Sequence, residues 1–177
     1  MRATLAGAAA LTQIDLREEL ARLHPLAHAW AVRCCRDHRA EAEDVLHEAY
    51  MKVLDGRAGF EGRSSFKTWL LGVIRHTARE HTRRGWLRVM RLERWWNESE
   101  THRPTTERPS DDRVLALQRA MAKLSKRQQE VLHLVFYQEL TIHEAANVLA
   151  MPVGTARTHY ERGKRRLRQL VARAEDA

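Results

Sequence analysis

Only two of the 177 residues are cysteine, and Cys34 and Cys35 are neighbours. Adjacent cysteines cannot staple a small secreted scaffold, so a disulfide framework is excluded and the usage fits a reduced, intracellular protein. Glycine (8), proline (4) and aromatic residues (6%) are scarce. With few turn formers and little period-two alternation, a sandwich or barrel has no basis, and the chain reads as all-α. No apolar run reaches the roughly 18–20 residues of a membrane span. The opening MRATLAGAAALTQID comes nearest, but Thr4 and Gly7 break it and charge resumes at Asp15. It reads as a frayed tail rather than a signal peptide. Acidic residues are outnumbered, 23 against 31 Lys and Arg, for a net charge of +8. That excess suits a polyanion, nucleic acid before membrane. Apolar residues still make up 44%, enough for a packed core in one mid-sized domain or two small ones.

Leu16, Leu20, Leu23, Ala27, Trp30 and Cys34 recur at helical spacing, after a start at Asp15 and Glu18. Pro25 is expected to kink this helix or split it. A second helix spans about 41–54, with Leu46, Tyr50, Val53 and Leu54 inward. After the loop DGRAGFEGRSS, a third starts near Ser65 and stripes Phe66, Trp69, Leu70, Val73 and Thr77. Its opposite side carries Arg75, Arg79, Arg83 and Arg84. Residues 98–112, ESETHRPTTERPSDD, read as a linker. Beyond it Val114, Leu117, Met121 and Leu124 form a stripe. Ser125 with Gln128 and Thr141 with Glu144 are capping boxes that each start a new helix. Two helical domains are expected, 10–96 and 113–174, joined by a flexible linker at 97–112.

Charge is unevenly placed. Residues 37–55 carry Asp37, Glu41, Glu43, Asp44, Glu48 and Asp55 against only Arg39 and Lys52. Residues 75–94 and 157–173 are arginine-rich, the latter opposed only by Glu161. Two basic surfaces could touch one DNA, whereas the acidic helix calls for a basic protein partner or is a solvated face. Asp44, Glu48, Met51 and Asp55 follow i, i+4, i+7, i+11 spacing and so share a face.

TIHEAANVLAMPVGTARTHYERGKRRL has the grammar of a helix-turn-helix: a short capped helix, a turn at Met151 and Pro152, then a longer helix. Ala156, Tyr160, Gly163, Leu167 and Leu170 point inward. Opposite lie Arg157, Thr158, Glu161, Arg162 and Arg165, residue types that read base edges: Arg with guanine, Glu with cytosine N4, Thr with phosphate or base. Lys164, Arg166 and Arg168 fit phosphate or solvent. A basic helix that only closes a bundle is the plainer alternative.

The segment LSKRQQEVLHLVFYQELTIHEAANVLAMPVGTARTHYERGKRRL resembles region 4 of bacterial sigma-70-family initiation factors, close to the extracytoplasmic-function (group IV) type. Upstream, AEDVLHEAYMKVL is similar to region 2.2, and FEGRSSFKTWLLGVIRHTAREHTRR to regions 2.3 and 2.4. The resemblance implies a cytoplasmic, non-catalytic factor that directs core RNA polymerase to promoters, without cofactor or metal and under an anti-sigma partner. It implies that Asp44, Glu48 and Asp55 meet core polymerase. It implies that Phe60, Arg63, Ser64, Phe66, Trp69, His76, Arg79 and Arg83 serve the −10 element, where an unstacked base offers its face and pairing edge. It implies that Arg157, Thr158, Glu161, Arg162 and Arg165 read the −35 element. The chain departs from the family's habits at His76 (often Asn), Glu139 (often Gly), Ala156 (more usually Val) and Glu161. The −35 preference of relatives therefore does not transfer.

Other functions have weaker support. HEAYM and HEAAN lack the second histidine of a zinc-protease helix. His24, His28, Cys34, Cys35 and His38 could bind Zn²⁺ or sense oxidants, as a metal-dependent enzyme would need, although Cys34 lies on the apolar stripe. A stand-alone helix-turn-helix regulator of response-regulator type would leave the acidic helix without a role. Trp86, Met90, Trp95 and Trp96 interleave with arginines and fit a helix extension with partner binding, or a membrane-surface helix.

Overall fold

The computed structural model describes the backbone of residues 13–92 and 112–175, and side chains within 15–85 and 117–173. Seven helices and no strand occur among these residues. The chain divides into two compact units, Met1–Pro104 and Thr105–Ala177. The N-terminal tail, the Trp95–Trp96 pair and most of the linker lie outside the described residues.

In the first unit, α1 (Gln13–Cys34), α2 (Arg39–Leu54) and α3 (Phe66–Leu92) pack mutually. The α1 stripe holds, with Leu20, Leu23, Ala27, Trp30 and Cys34 buried. Trp30 is fully enclosed, and its indole N–H donates to the Leu71 carbonyl at 3.0 Å, which removes the cost of burying that donor. Pro25 lies within a continuous α1, so it does not split the helix. It sits on the exposed side, where the carbonyl it leaves without a donor can face water.

Helix α3 is covered by both α1 and α2, so its buried stripe is wider than one helix face. Leu71, Ile74 and Ala78 join Leu70 and Thr77 in the core. Arg75, expected on the exposed side, is 4% exposed. It follows Ile74 and lies one turn beyond Leu71, which places it inside the widened stripe. Phe66, Trp69 and Val73 are only half-buried, as is Leu54 on α2.

In the second unit, α7 (Val153–Glu175) packs against α4 (Asp112–Ala122), α5 (Lys126–Phe136) and α6 (Ile142–Val148). Ala120, Leu124, Leu132 and Leu170 form its core, flanked by Met121, Tyr160 and Leu167. Leu117, expected inward, is 37% exposed, whereas Ala120 of α4 and Leu124 just beyond that helix enter the core. The Gln129 amide donates to the carbonyls of Met121 and Leu124 at 2.9 Å each, closing the open end of α4.

Candidate nucleic-acid interface

Both capping boxes form. The Ser125 and Thr141 hydroxyls accept from the backbone N–H groups of Gln128 and Glu144, whose side chains reach back to the cap N–H groups. Helix α6 ends in a Schellman turn. Ala150 N–H bonds the Asn147 carbonyl and Met151 N–H the Ala146 carbonyl, both at 3.1 Å, with Ala150 at φ 45°. Pro152 then precedes α7, whose first turn closes from Ala156 N–H to the Pro152 carbonyl at 3.0 Å. Glu139, just before α6, also lies in the left-handed region at φ 52°, which accounts physically for a glycine preference there.

Helix α7 buries Ala156, Gly163 and Leu170 and half-buries Tyr160 and Leu167. A Cβ on Gly163 would meet Gln128 Cβ and Leu132 Cδ1 at 3.1 Å, so α5 and α7 cross closely there. Arg157, Thr158, Glu161, Arg162 and Arg165 are all exposed on the opposite side. They fall within about 140° of arc at 3.6 residues per turn. The Thr158 hydroxyl donates to the Gly154 carbonyl at 2.9 Å, and Lys164 lies over the Tyr160 ring at 5.4 Å.

In the first unit, the loop between α2 and α3 turns at Gly56 and Gly62, both at φ 69°. Ser65 caps α3 by accepting from Thr68 N–H at 3.1 Å. Phe60 from the loop meets Phe66 and Trp69 on the first turns of α3, with ring centroids 5.3–5.5 Å apart. All three residues are half-buried, so the cluster is partly open to solvent. Arg63 is exposed and paired with Glu61, and Ser64 is half-buried. His76, Arg79 and Arg83 are exposed at i, i+3, i+7 on α3, with His76 Nδ1 3.8 Å from Glu80.

The acidic face on α2 is less uniform than its spacing suggests. Asp44 and Asp55 are exposed, Asp55 beside Arg57 at 2.9 Å, and Met51 is 38% exposed between them. Glu48 is instead half-buried, held by Lys52 at 3.1 Å and by Arg84 of α3 at 3.1 Å. Lys52 also bonds Glu80 at 2.6 Å and Thr77 at 3.2 Å. Burial alone would raise the Glu48 pKa, but Lys52 and Arg84 outweigh it and hold the carboxyl below its ordinary value. Glu80 is lowered too, chiefly by the Lys52 hydrogen bond. Glu48 therefore does not stand free on the α2 surface. Its i, i+4 pairing with Lys52 is readable from sequence, whereas Arg84 and Glu80 come from another helix.

Among the described residues no group of three His, Cys, Asp or Glu side chains is placed to hold a metal ion. Cys34 and Cys35 are buried thiols. His24 lies 3.2 Å from the Tyr50 hydroxyl, whose pKa burial pushes up to about 12. No helix among these residues is long and apolar enough to cross a membrane.

Residues 20–88 match Sigma-70 region 2, and residues 120–169 match Sigma-70 region 4. The chain is 30% identical over 135 residues to the ECF RNA polymerase sigma factor SigX of Bacillus subtilis, covering 73% of this chain and 70% of that one. It is 29% identical to the B. subtilis sigma factor YlaC, covering 80% of this chain and 84% of YlaC. Its fold matches the sigma factor RpoE of Bartonella quintana, solved in complex with the anti-sigma factor NepR. The TM-score is 0.69 at 25% identity, over 89% of this chain and 97% of that one. Carrying both matched regions in their expected order, the chain belongs to the sigma-70 family as a factor of the extracytoplasmic-function type, one that directs RNA polymerase to promoters.

Proposed function

We propose a division of labour among three surfaces of this sigma factor. The exposed N-terminal half of α7, with Arg157, Thr158, Glu161, Arg162 and Arg165, reads the −35 element in the major groove. The Phe60, Phe66 and Trp69 cluster, with Arg63 and Ser64 beside it, captures an unstacked −10 base, and His76, Arg79 and Arg83 hold the adjoining duplex. Asp44, Asp55 and Met51 dock on a basic surface of core polymerase, and Glu48 supports that face from within its ion-pair network. Functional boundaries at 10–96 and 113–174, with a linker between, separate promoter melting from −35 reading. The protein acts in the cytoplasm and performs no catalysis of its own.

The observation that carries this reading is the exposure of all five α7 side chains opposite a buried stripe. Control by an anti-sigma protein has its own support. Met51 on the first unit, and Phe136 and Tyr137 on the second at 57% and 64% exposed, offer apolar contacts on each unit. A pull-down from the native host is expected to recover polymerase subunits and a small inhibitory protein. Polymerase subunits alone would count against the inhibitor.

Reconstituted run-off transcription with bacterial core polymerase tests the core of the proposal. The docking variant is Asp44→Lys with Asp55→Lys. Glu48 is left intact, because a lysine there would face Lys52 and Arg84 and unsettle the fold. Both chosen aspartates are exposed, and a lysine after α2 suits the helix C-terminus. The folded double variant is expected to lose core binding and transcription. Unchanged core affinity would remove the acidic face from the docking site.

A further inference from the structure

Glu161 is an acidic residue on the surface proposed to enter a polyanion. Within α7 it is the sole carboxylate from Arg157 to Arg173. Arg157 and Arg165 lie one turn to either side and Arg162 is adjacent, yet no ion pair or hydrogen bond holds the carboxylate among the described residues. It is exposed, within the outward arc between Arg157 and Arg165. Facing phosphate, it would only repel. An ionised carboxylate accepts hydrogen bonds and donates none. In the major groove it therefore suits an exocyclic amine and opposes guanine O6 and N7 and thymine O4. Adenine offers an amine too, but its N7 lone pair lies beside it and faces the second carboxylate oxygen. Cytosine carries only C5–H on that side of its N4 amine.

We infer that Glu161 is a specificity-determining residue that selects a cytosine in the −35 element and rejects guanine and thymine at that position. The inference rests on the assignment of α7 as the −35 reading helix. Thr158 sharpens the same face. Its hydroxyl proton is committed to the Gly154 carbonyl at 2.9 Å, which leaves its oxygen as an acceptor and its methyl group as an apolar contact. The flanking arginines prefer guanine. Glu161 thus breaks what would otherwise be a run of guanine-reading positions, and the repulsion acts as selection against wrong bases.

The test is transcription by holoenzyme, reconstituted from core polymerase and the full chain, on promoters with a randomised −35 element. Wild type is expected to enrich cytosine at one position, by roughly ten- to a hundredfold over guanine. Glu161→Gln should move the preference at that position to adenine, because an amide both donates to N7 and accepts from N6. Glu161→Ala should flatten the position while its neighbours stay selected. An unchanged base preference in Glu161→Gln overturns the inference and leaves α7 as the reading helix. The absence of any −35 preference in wild type overturns the reading-helix assignment itself.

Discussion

Two glycines on α7 show how position decides the sign of a substitution. Alanine in place of a helical glycine gains about 1 kcal/mol from helix propensity. At Gly154 nothing lies within 4 Å of an added Cβ, so Gly154→Ala is expected to stabilise the second unit by up to that amount. At Gly163 the added Cβ would sit 3.1 Å from Gln128 Cβ, an atom fixed to the α5 backbone, and 3.1 Å from buried Leu132. Overpacking costs about 1–3 kcal/mol, which exceeds the propensity gain, so Gly163→Ala is expected to lose roughly 1 kcal/mol. Thermal unfolding followed by far-UV circular dichroism checks both. A Gly163→Ala variant with a raised Tm would mean that α5 can retreat. Ala150 gives a companion case. Its φ of 45° strains a Cβ at the helix-turn-helix corner, and Ala150→Gly should raise Tm slightly, the relief being partly offset by unfolded-state entropy.

Between elements, the ion-pair network of Glu48, Lys52, Glu80 and Arg84 ties α2 to α3. Both carboxyls have folded pKa values below their ordinary ones. Their contribution to stability is therefore complete above the unfolded carboxylate range, near pH 4.3, and is lost as pH falls through the lowered folded values. Lys52→Met should lower the urea midpoint of the first unit at pH 7 and have a much smaller effect near pH 3. All five tryptophans (30, 69, 86, 95 and 96) lie in that unit, so tryptophan fluorescence follows it alone. An equal shift at both pH values would show that Lys52 acts through packing of its stem rather than through charge. The same network joins the proposed polymerase-docking helix to the proposed −10 helix, so a partner that engages Glu48 also acts on Arg84.

At the scale of the whole molecule, charge is partitioned by surface. Base-reading and phosphate-contacting arginines should separate in one experiment. Arg162→Ala is expected to cost about 1–3 kcal/mol on cognate −35 promoters and little on scrambled ones. Arg168→Ala should weaken both alike and reduce the salt dependence of binding. Competition binding of holoenzyme at two salt concentrations distinguishes them. Identical behaviour of the two variants on cognate and scrambled DNA would remove base reading from α7.

Local features were readable from the chain itself. The α1 stripe, both capping boxes, the turn at Met151 and Pro152 and the inward face of α7 follow from spacing and cap chemistry, which act within a few residues. The readings that needed tertiary structure concern how many neighbours a helix has. Arg75 is buried because α3 is covered from two sides, and Leu117 is exposed while Ala120 of α4 and Leu124 after it fill the core beside Leu170. Glu48 is held because Arg84 arrives from 36 residues away. Periodicity identifies a helix's apolar face, but the width of that face, and the partners of charges at its edge, depend on contacts between residues far apart in the chain.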